Sequence, residues 1–391
     1  MNYTIIDKCR FCNSSNLEKY LDLGDMPLVN NLLNSPDDKH GKAPLRLFWC
    51  NNCKMSQLDC VVDPKDLFSN YYYRSGMSKH FKNHCKNLAN ELEENVPFYG
   101  QFVIDIASNE GTLLKQFEFS RILGIEPATN LAKIANEAEI PTHNAFFNYE
   151  TALNVSIKHG QADYITAQNV FAHVPNIYDF MHGVKRLLRE NGTFIVEAPW
   201  VVDMFSNLEF DANYHEHVSY ISVSGMKSFV ENFGMHLDNI KYFKDIHGGT
   251  IRYYIKNNTE KPNISNFWVI ENAMYRESFV EHKLSDYQSD INQLGYALIS
   301  RLQKYPEGVV GLGAAAKAAI VCNYLDLKDK VKVIYDNTPE KIGKYQPGTL
   351  IPIISWEELK NETRPMLIFA WNLEKEIKEN VFKIRPDATF V

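Results

Sequence analysis

The fold of this chain is decided by the stretch Phe102-Val103-Ile104-Asp105-Ile106-Ala107-Ser108-Asn109-Glu110-Gly111. Its first five residues are mostly apolar and read as a buried parallel strand, and they run into a polar turn. The next apolar run, residues 122–125, delivers Glu126 at its carboxyl end. A strand, a turn that opens a helix, a second strand and an acid is the order of a nucleoside-binding doubly wound fold.

The same rhythm continues along the chain. Further strands are predicted at 162–166 and 192–197 with a helix over 179–189 between them, which indicates a parallel sheet. A polar segment at 256–263 suits a linker, and a long helical stretch, 267–304, precedes a second α/β pattern that starts at Val309. The sequence therefore predicts an α/β protein with a central Rossmann-like domain over 79–258 and a Rossmann-like C-terminal domain over 259–391.

Two cysteine pairs dominate the first 78 residues. Cys9 and Cys12, and later Cys50 and Cys53, have the C-x-x-C spacing with which two thiolates from one turn bind a tetrahedral zinc ion. The intervening segment is longer than in a compact zinc ribbon, so we expect an irregular excursion through residues 23–28. The pattern predicts a small irregular zinc-binding domain over 1–78, with zinc in a structural role.

The totals exclude several classes of function. The chain has 391 residues, 45% of them hydrophobic, and a formal charge of −7. Without a long basic run it is not expected to bind nucleic acid, and with no apolar run of about 18 residues it is not expected to enter a membrane. The absence of a signal-peptide pattern and the scattered remaining cysteines predict a cytoplasmic protein. Nothing in the sequence requires a partner chain, so a monomer is expected.

The first loop can bind a dinucleotide or S-adenosylmethionine, because both present an adenosine ribose to an acid. Its only glycine is Gly111, whereas a pyrophosphate needs the close backbone approach of G-x-G-x-x-G. This favours S-adenosylmethionine, with Asp105 near its amino-acid moiety and Glu126 on the ribose hydroxyls. The alternative is a helix-capping Asp105 and a solvated Glu126.

The second loop fits the G-x-G-x-x-A variant of that pattern. Gly311 and Gly313 begin it, Lys317 follows as a nearby cation, and Asp336 lies at the distance expected for a ribose-binding acid. By itself the loop indicates NAD. A nucleotide sugar also carries a pyrophosphate and a ribose, and a purely structural turn is the third alternative.

The densest group of proton-transferring side chains is the segment Asn213–Tyr220, which contains Tyr214, His215, Glu216 and His217. Imidazole titrates near neutral pH, so one of these histidines can remove a proton from a carbon beside a ketone. Binding of a second metal and simple packing are the alternatives. Asn169 and His173 follow a predicted strand end, where residues that face a ligand lie in open α/β sheets.

Eight motifs, taken together and in order, resemble the nucleotide-sugar C-methyltransferases of deoxysugar biosynthesis over nearly the whole chain. They are the cysteine pairs, Tyr71-x-Tyr73-x-Ser75, Ala107–Gly111, Gly124–Ala128, Asn169–Pro175, Tyr214–His217, Gly311–Lys317 and Ala370–Asn372. The resemblance implies a zinc domain, a central S-adenosylmethionine domain and a C-terminal domain that holds the sugar nucleotide in place of NAD.

The resemblance also implies a reaction, which is methylation at C-3 of a nucleoside-diphosphate 4-keto-6-deoxy sugar through an enolate. His217 would be the base, Tyr214 and Glu216 would orient it or stabilise the enolate, and Tyr73 and His173 would reach the same place. The implied S-adenosylmethionine contacts are Asp105, Ala107, Asn109, Gly111, Glu126 and Asn169. The implied substrate contacts are Asn169, His215, Gly311, Gly313, Lys317 and Asp336.

Two positions depart from the usual motifs. Glu110 stands where aspartate is common, which leaves its contact open, and Asn13 stands where glycine is common after the first cysteine pair. Asparagine tolerates the left-handed conformation, so the zinc fold should survive. Competing hypotheses are an NAD-dependent nucleotide-sugar oxidoreductase or epimerase, a catalytically silent adaptor, and a methyltransferase that acts on a sugar hydroxyl.

Overall fold

A computed structural model describes residues 1–68, 74–94, 100–246, 248–258 and 260–391. Tyr73, which the sequence motif places at the site, lies outside the described residues. Within the described chain, none of the helices combines the length and the apolar character that crossing a membrane requires.

The N-terminal region is built mainly of strands. Its elements are β1 (Tyr3–Ile5), β2 (Leu17–Pro27), β3 (Lys42–Cys50), β4 (Ser56–Leu58), β5 (Cys60–Val62) and α1 (Pro64–Phe68). The expectation of an irregular excursion at 23–28 was wrong, because these residues continue β2 as it pairs antiparallel with β3. Two register shifts absorb the irregular residues, one of them beside Gly24, whose φ is +75°.

The central region is a seven-stranded sheet. Its strands are β6 (Phe102–Ile106), β7 (Arg121–Ile125), β8 (Thr142–His143), β9 (Ala162–Gln168), β10 (Leu188–Pro199), β12 (His236–Phe243) and β13 (Thr250–Lys256), in the order β12-β13-β10-β9-β6-β7-β8. The first five in sequence are parallel, and β13 joins antiparallel to β10. The four strands predicted for this domain are confirmed.

Helices cover this sheet. They are α2 (Lys79–Glu93), α3 (Thr129–Glu137), α4 (Tyr149–His159), α5 (Ile177–Leu187), α6 (Val201–Ser206) and α7 (Val223–Glu231). The helix predicted to open directly after the first loop was wrong, since only a 3₁₀ turn, Leu114–Gln116, follows there. Ala107, Asn109 and Gly111 all have positive φ, and a right-handed helix cannot start through alternating left-handed residues.

A two-residue strand joins the first two regions. β11 (Ser219–Tyr220) pairs antiparallel with β4, so the N-terminal sheet has the order β11-β4-β3-β2 although β11 comes from the central part of the chain. The segment Tyr214–His217 directly precedes β11. The N-terminal region therefore fixes the end of the segment that carries the predicted base.

The C-terminal region follows the predicted linker. It contains α8 (Ile264–Glu281), α9 (Leu284–Leu302), β14 (Val309–Leu312), α10 (Ala316–Tyr324), β15 (Val331–Asp336), β16 (Ile353–Ser355), β17 (Met366–Ile368) and α11 (Glu374–Ile384). The single helical stretch expected at 267–304 is thus two helices. The four strands form a parallel sheet in the order β16-β15-β14-β17.

The apolar core shows how the regions are connected. One continuous cluster runs from the N-terminal sheet through the central sheet to α8 and α9; for example, Phe11 packs edge-on against Phe229 with ring centroids 5.1 Å apart. The C-terminal sheet has separate clusters of its own. Helix α10 connects the two parts, because its Ala319 and Ile320 belong to the large cluster while its Ala318 and Cys322 belong to a cluster of the C-terminal sheet.

Candidate active site and zinc centre

The four cysteines of the two pairs converge. Their Sγ atoms all lie within 4.8 Å of one another, with Cys9 Sγ 3.5 Å from Cys53 Sγ and Cys12 Sγ 3.6 Å from Cys50 Sγ. Four thiolates bound to zinc at about 2.3 Å have neighbouring sulfurs somewhat under 4 Å apart, so this donor set fits zinc. The cluster lies at one end of β3, and four thiolates complete the tetrahedral coordination of zinc, which suits a structural ion.

Each cysteine pair is closed by a left-handed residue. Asn13 has a φ of 58° and donates its backbone N–H to the Cys9 carbonyl, and Lys54 has a φ of 65° and does the same to Cys50. The expectation that Asn13 can replace glycine here is confirmed. Two knuckles of the same geometry therefore face one another.

Two buried carboxyl groups stand at the carboxyl ends of neighbouring parallel strands. Asp105, on β6, accepts a 2.6 Å hydrogen bond from the Thr166 hydroxyl. Glu126, directly after β7, accepts backbone hydrogen bonds of 2.8 Å from Asn109 and from Ala128. Each Glu126 oxygen keeps a second lone pair, so the carboxyl group that shapes the loop can still accept from a ribose hydroxyl.

The surroundings of these two acids fit a ligand that carries positive charge. Burial raises the pKa of Asp105 and that of Glu126 to about 7 each. Among the described residues neither acid forms an ion pair with a basic side chain. A site that offers carboxyl groups without neutralising cations suits the sulfonium and amino groups of S-adenosylmethionine, with Asp105 and Glu126 as the groups that would hold it.

Glu110 turns away from this edge. It forms an ion pair with Arg74 and accepts the backbone N–H of Gly76 at 3.0 Å, while Asn109 accepts from the Ser75 backbone N–H at 3.3 Å. A Cβ on Gly76 would lie 2.3 Å from the Glu110 carboxylate, so this approach requires glycine. The contact that the sequence left open is therefore a clamp between the first loop and residues 74–76.

His217 lies among aromatic side chains. Its ring centroid is 4.1 Å from that of Tyr214 and 4.9 Å from that of His173, and His173 stacks on Phe68 at 5.5 Å. Burial, together with the nearby His217, holds the pKa of His173 well below its usual range. The structure thus brings together three residues that the sequence predicted for catalysis: His173, Tyr214 and His217.

The hydrogen bond at Nδ1 sets the tautomer of His217. Its Nδ1 lies 2.9 Å from the Ala212 carbonyl oxygen, which can only accept, so Nδ1 carries the proton. In the neutral ring the lone pair is then on Nε2. His217 also lines a pocket that it shares with Trp200, Met204, Glu209 and Tyr220. A neutral imidazole held in this way can accept a proton from a group in the pocket.

The other two members of the cluster face the N-terminal region. Glu216 is 2% exposed and accepts from the Asn30 amide at 2.9 Å, and burial raises its pKa to about 7. His215 is also buried, and its Nε2 lies 3.3 Å from the carbonyl oxygens of Ala43 and Pro44. The structure places His215 between the two regions rather than among the residues that line the His217 pocket.

Asn169 stands at the end of β9. It adopts a left-handed φ of 56° and donates its backbone N–H to the Glu197 carbonyl at 2.9 Å. The 3₁₀ turn Phe171–His173 follows directly. This turn is what brings His173 to His217, so the strand end and the predicted base share one edge of the sheet.

The second glycine loop repeats the arrangement of the first. Asp336, at the end of β15, accepts the backbone N–H of Ala314 at 2.7 Å and that of Thr338 at 2.8 Å. Gly313 has a φ of 88°, and a Cβ on Gly311 would lie 2.6 Å from the Phe369 ring. Both glycines are therefore required by geometry, one by its conformation and one by close packing.

Lys317 is the cation of this loop. Its Nζ is buried 3.8 Å above the Trp371 ring, and it has no hydrogen-bond partner among the described residues. A buried ammonium group with unused donors is costly unless an anion satisfies them. The ammonium donors are therefore available to an anion, while the Glu209 and Asp211 carboxyl groups lie near enough for the Lys317 charge to lower their pKa values against the effect of burial.

Three residues near these sites were missed by sequence reasoning. Trp371 donates its indole N–H to Asp211 at 2.8 Å, which joins the C-terminal region to the segment before His217. Glu209 lines the His217 pocket, and burial raises its pKa to about 7. Trp371 belongs to a motif that sequence analysis noticed without assigning a role, and the two acids directly precede Asn213–Tyr220.

Comparisons with known proteins agree with this architecture. Three family models match in order: a zinc binding domain over residues 9–68, a methyltransferase domain over 78–239 and a C-methyltransferase C-terminal domain over 245–391. The resemblance seen in the sequence is confirmed at this level. The chain is an S-adenosylmethionine-dependent methyltransferase with the three domains of a C-methyltransferase, and zinc is the ion of its cysteine cluster.

One curated relative spans nearly the whole chain. C-methyltransferase NovU from Streptomyces niveus is 29% identical over 393 residues, which cover 96% of this chain and 92% of the relative. With this match and the methyltransferase model, the NAD-dependent hypothesis is set aside.

Two of the solved structures that resemble this chain each cover just under half of it. The YcgJ protein of Bacillus subtilis has a TM-score of 0.36 and 13% identity, over 45% of this chain and 99% of its own. Magnesium protoporphyrin IX methyltransferase of Synechocystis PCC 6803 with bound SAH has a TM-score of 0.35 and 10% identity, over 45% and 82%. At such scores the fold assignment depends on the strand order and the family models.

Proposed function

We propose that the protein methylates C-3 of a nucleoside-diphosphate 4-keto-6-deoxy sugar through an enolate. The observation that carries the proposal is the 2.9 Å hydrogen bond from His217 Nδ1 to the Ala212 carbonyl, which orients the ring of a histidine that lines a pocket at the end of the central sheet and makes Nε2 its basic nitrogen. A hydrogen at C-3 is acidic because the C-4 ketone delocalises the resulting charge. Removal of that proton is what a neutral, oriented imidazole can do.

The neighbouring side chains suit the charge that would develop. His217 Nε2 takes the C-3 proton and becomes an imidazolium whose Nδ1–H still binds Ala212. Glu216 is buried and held by Asn30, so its part would be to fix the segment that carries His217 against the N-terminal region. Tyr214 and His173 contact the base by ring packing, and Asn169 lies at the adjoining strand end.

S-adenosylmethionine supplies an electrophilic methyl group when bound. Asp105 and Glu126 would hold its amino-acid and ribose ends, with the loop residues Ala107, Asn109 and Gly111 beneath it. The clamp between Arg74 and Glu110 closes the other side of that loop.

The C-terminal glycine loop supports a nucleotide sugar as substrate. Lys317 offers unused ammonium donors to a pyrophosphate, and Gly311, Gly313 and Asp336 shape the backbone around it. The curated relative is itself a C-methyltransferase. All side chains named for the reaction belong to one chain, so we further propose that a monomer is active.

The test is mass spectrometry of products in deuterated water. The protein is incubated with methyl-labelled S-adenosylmethionine and a panel of 4-keto-6-deoxy sugars carried on dTDP, CDP and GDP. We expect methyl transfer to carbon with loss of the C-3 hydrogen, and deuterium exchange at C-3 when the methyl donor is replaced by S-adenosylhomocysteine. Transfer to oxygen, or none with any sugar nucleotide, would overturn the proposal.

The base is tested by His217→Ala, which should slow both exchange and methyl transfer by about 10²- to 10⁴-fold, the range for general bases. Binding of S-adenosylmethionine should change little, because Asp105 and Glu126 are untouched. The matched control is His282→Ala, which removes an exposed histidine at the end of α8 and should leave turnover unchanged. Equal exchange rates in the His217 variant and the control would sink the assignment.

A further inference from the structure

Trp371 crosses from the C-terminal region to the segment that leads into the predicted base. It lies in the 3₁₀ turn Trp371–Leu373 after β17, and its indole N–H donates to Asp211 Oδ2 at 2.8 Å. Asp211 is 6% exposed. A buried hydrogen bond between an indole and a carboxylate is directional, so this contact fixes one region relative to the other.

Asp211 is the neighbour in sequence of Ala212, the residue whose carbonyl accepts the hydrogen bond from the base. Asp211 lies in the 3₁₀ turn Phe210–Ala212, and the carbonyl of Ala212 in that turn is the acceptor for His217 Nδ1. The same turn packs against α10, which carries Lys317. The turn that orients the imidazole is therefore held by the C-terminal region, and specifically by the Trp371 side chain.

The N–H edge of the indole contacts Asp211, and a face of its ring contacts Lys317, the cation of the second glycine loop. Lys317 Nζ sits 3.8 Å from the ring centroid, a cation–π distance, and its positive charge lowers the pKa values of the nearby Glu209 and Asp211 carboxyl groups that burial raises. A Cβ at Gly248 would lie 2.8 Å from the indole, so the backbone of the central region closes against Trp371. One rigid side chain thus touches both sites.

We propose that Trp371 is a positioning residue that sets the separation between the pyrophosphate of the substrate and the carbon presented to His217. One of its edges holds the turn that orients the base, and one of its faces holds the amine that receives the phosphates. In a nucleotide sugar the pyrophosphate is attached at C-1, so a fixed separation selects which ring carbon reaches the base. The inference rests on the function proposed above.

The experiment uses the full-length protein and the variants Trp371→Phe, Asp211→Ala and the double variant, because alanine removes the acceptor of the indole N–H whereas asparagine would keep one. Phenylalanine keeps a ring beneath Lys317 and removes the N–H donor. Loss of one hydrogen bond to a charged partner should lower kcat, and with it the rate of C-3 deuterium exchange, about tenfold. The affinity for S-adenosylmethionine should not change. If the two side chains act through this one hydrogen bond, the exchange rate of the double variant should be no lower than that of the more impaired single variant.

The control is Tyr335→Phe, which removes only a side-chain hydrogen bond of 2.9 Å to Glu362 in the same C-terminal region and leaves in place the backbone carbonyl that accepts from Gly313. Its exchange rate should stay within about twofold of the original protein, as for a hydrogen bond that only contributes to stability. Thermal unfolding of each variant shows whether it is folded, and if Trp371→Phe is not, Asp211→Ala decides.

The outcomes separate the two claims. A folded Trp371→Phe protein with unchanged C-3 exchange overturns the positioning role, and so does an equal loss in Tyr335→Phe. Exchange that survives while only the thermal midpoint falls has the same consequence, because that is the signature of a purely structural contact. An original protein that exchanges and methylates no sugar nucleotide defeats the proposed function itself.

Discussion

The two glycine-bearing loops of the molecule share one backbone device and differ in charge. In each α/β unit an acid at the end of the second strand accepts two backbone N–H groups: Glu126 from Asn109 and Ala128, and Asp336 from Ala314 and Thr338. In each unit one of these donors lies in the glycine-bearing loop, Asn109 in the first loop and Ala314 in the second, and the other donor lies two residues beyond the acid. The acid is therefore first of all a part of the loop.

The side chains around each acid make the difference. Glu126 has Asp105 on the adjacent strand and no ion-pair partner among the described residues, whereas Asp336 lies 3.9 Å from Lys341, whose amine also donates to the Ala314 carbonyl. Lys317 adds a second ammonium group at the C-terminal loop. The comparison teaches that the fold fixes where a ligand can lie, and that the local charge decides whether the ligand is cationic or anionic.

Removing zinc is expected to have the largest effect on stability while leaving the first loop intact. Structural zinc contributes on the order of 10 kcal/mol to the folding of small zinc modules. Chelation should expose residues 1–68 to protease and lower the thermal midpoint, because the two cysteine pairs would no longer be joined. Binding of S-adenosylmethionine, measured by calorimetry, should persist, since Glu126 and Asn109 belong to the central region. Unchanged proteolysis after verified loss of zinc would contradict a structural ion.

Replacing the cation of the second loop tests the anionic half of the comparison. Lys317→Met keeps the length of the side chain and removes its charge. We expect KM for the sugar nucleotide to rise roughly 10- to 100-fold, as for the loss of a charge-assisted contact to phosphate, with little change in cofactor affinity. Steady-state kinetics with each substrate varied in turn measures this. Lys378→Met, which also lies over an aromatic ring of the C-terminal region, is the matched control.

Replacing the acid of the first loop tests the other half. Glu126→Gln retains an oxygen that can accept from Asn109 but loses the charge, so affinity for S-adenosylmethionine should fall about tenfold. KM for the sugar nucleotide should stay near its original value. If Glu126→Gln weakened the binding of S-adenosylmethionine and of the sugar nucleotide equally, the two loops would not bind separate ligands.

A smaller effect is expected in the pH dependence of cofactor binding, which tests the charge of the acids at the first loop. Burial raises the pKa of Glu126 from its ordinary 4.5 to about 7, so this carboxyl group is mostly protonated at pH 6 and mostly ionised at pH 8. If the ionised form is the one that binds, the cationic cofactor should bind up to about tenfold more tightly at pH 8 than at pH 6 by this linkage. Calorimetry across that range checks the trend, and Glu126→Gln should flatten part of it, with Asp105 responsible for the rest.

The same shift has the opposite sign for stability. The folded protein holds the Glu126 proton up to about pH 7, while the unfolded chain loses it near pH 4.5. The contribution to the free energy of unfolding is therefore complete below pH 4.5 and falls as the pH rises towards 7. Chemical denaturation of the original protein and of Glu126→Gln, compared at pH 4.5 and 8, should show a smaller fall in the variant.

Local patterns were sufficient for the strands and the metal site. The strand that contains Asp105, the strand before Glu126 and the C-x-x-C pairs could be predicted because each depends on neighbours in sequence. The absence of a helix directly after the first loop could not be predicted, because it results from the left-handed backbone of Ala107, Asn109 and Gly111. The excursion at 23–28 became a strand only because β3 lies beside it.

The candidate site shows the same division. The sequence named His173, Tyr214 and His217, and the structure brings their rings within 5 Å of one another in two pairs, 4.1 Å and 4.9 Å apart. It also places His215 against the carbonyls of Ala43 and Pro44, in a different environment from its neighbours. Residues adjacent in sequence can point to different regions. In a short extended segment the side chains alternate between two sides, but the sequence does not tell which region of the protein lies on each side.

By itself the sequence determined the α/β class, the zinc ligands and the methyltransferase motifs, because strand periodicity, ligand spacing and loop acids are properties of short segments. Only the tertiary structure decided that β11 joins the N-terminal sheet, that His217 is oriented by the Ala212 carbonyl, and that Trp371 meets Asp211. Trp371 and Asp211 are 160 positions apart in the chain. Contacts of that kind depend on how separately formed units dock, which no local pattern encodes.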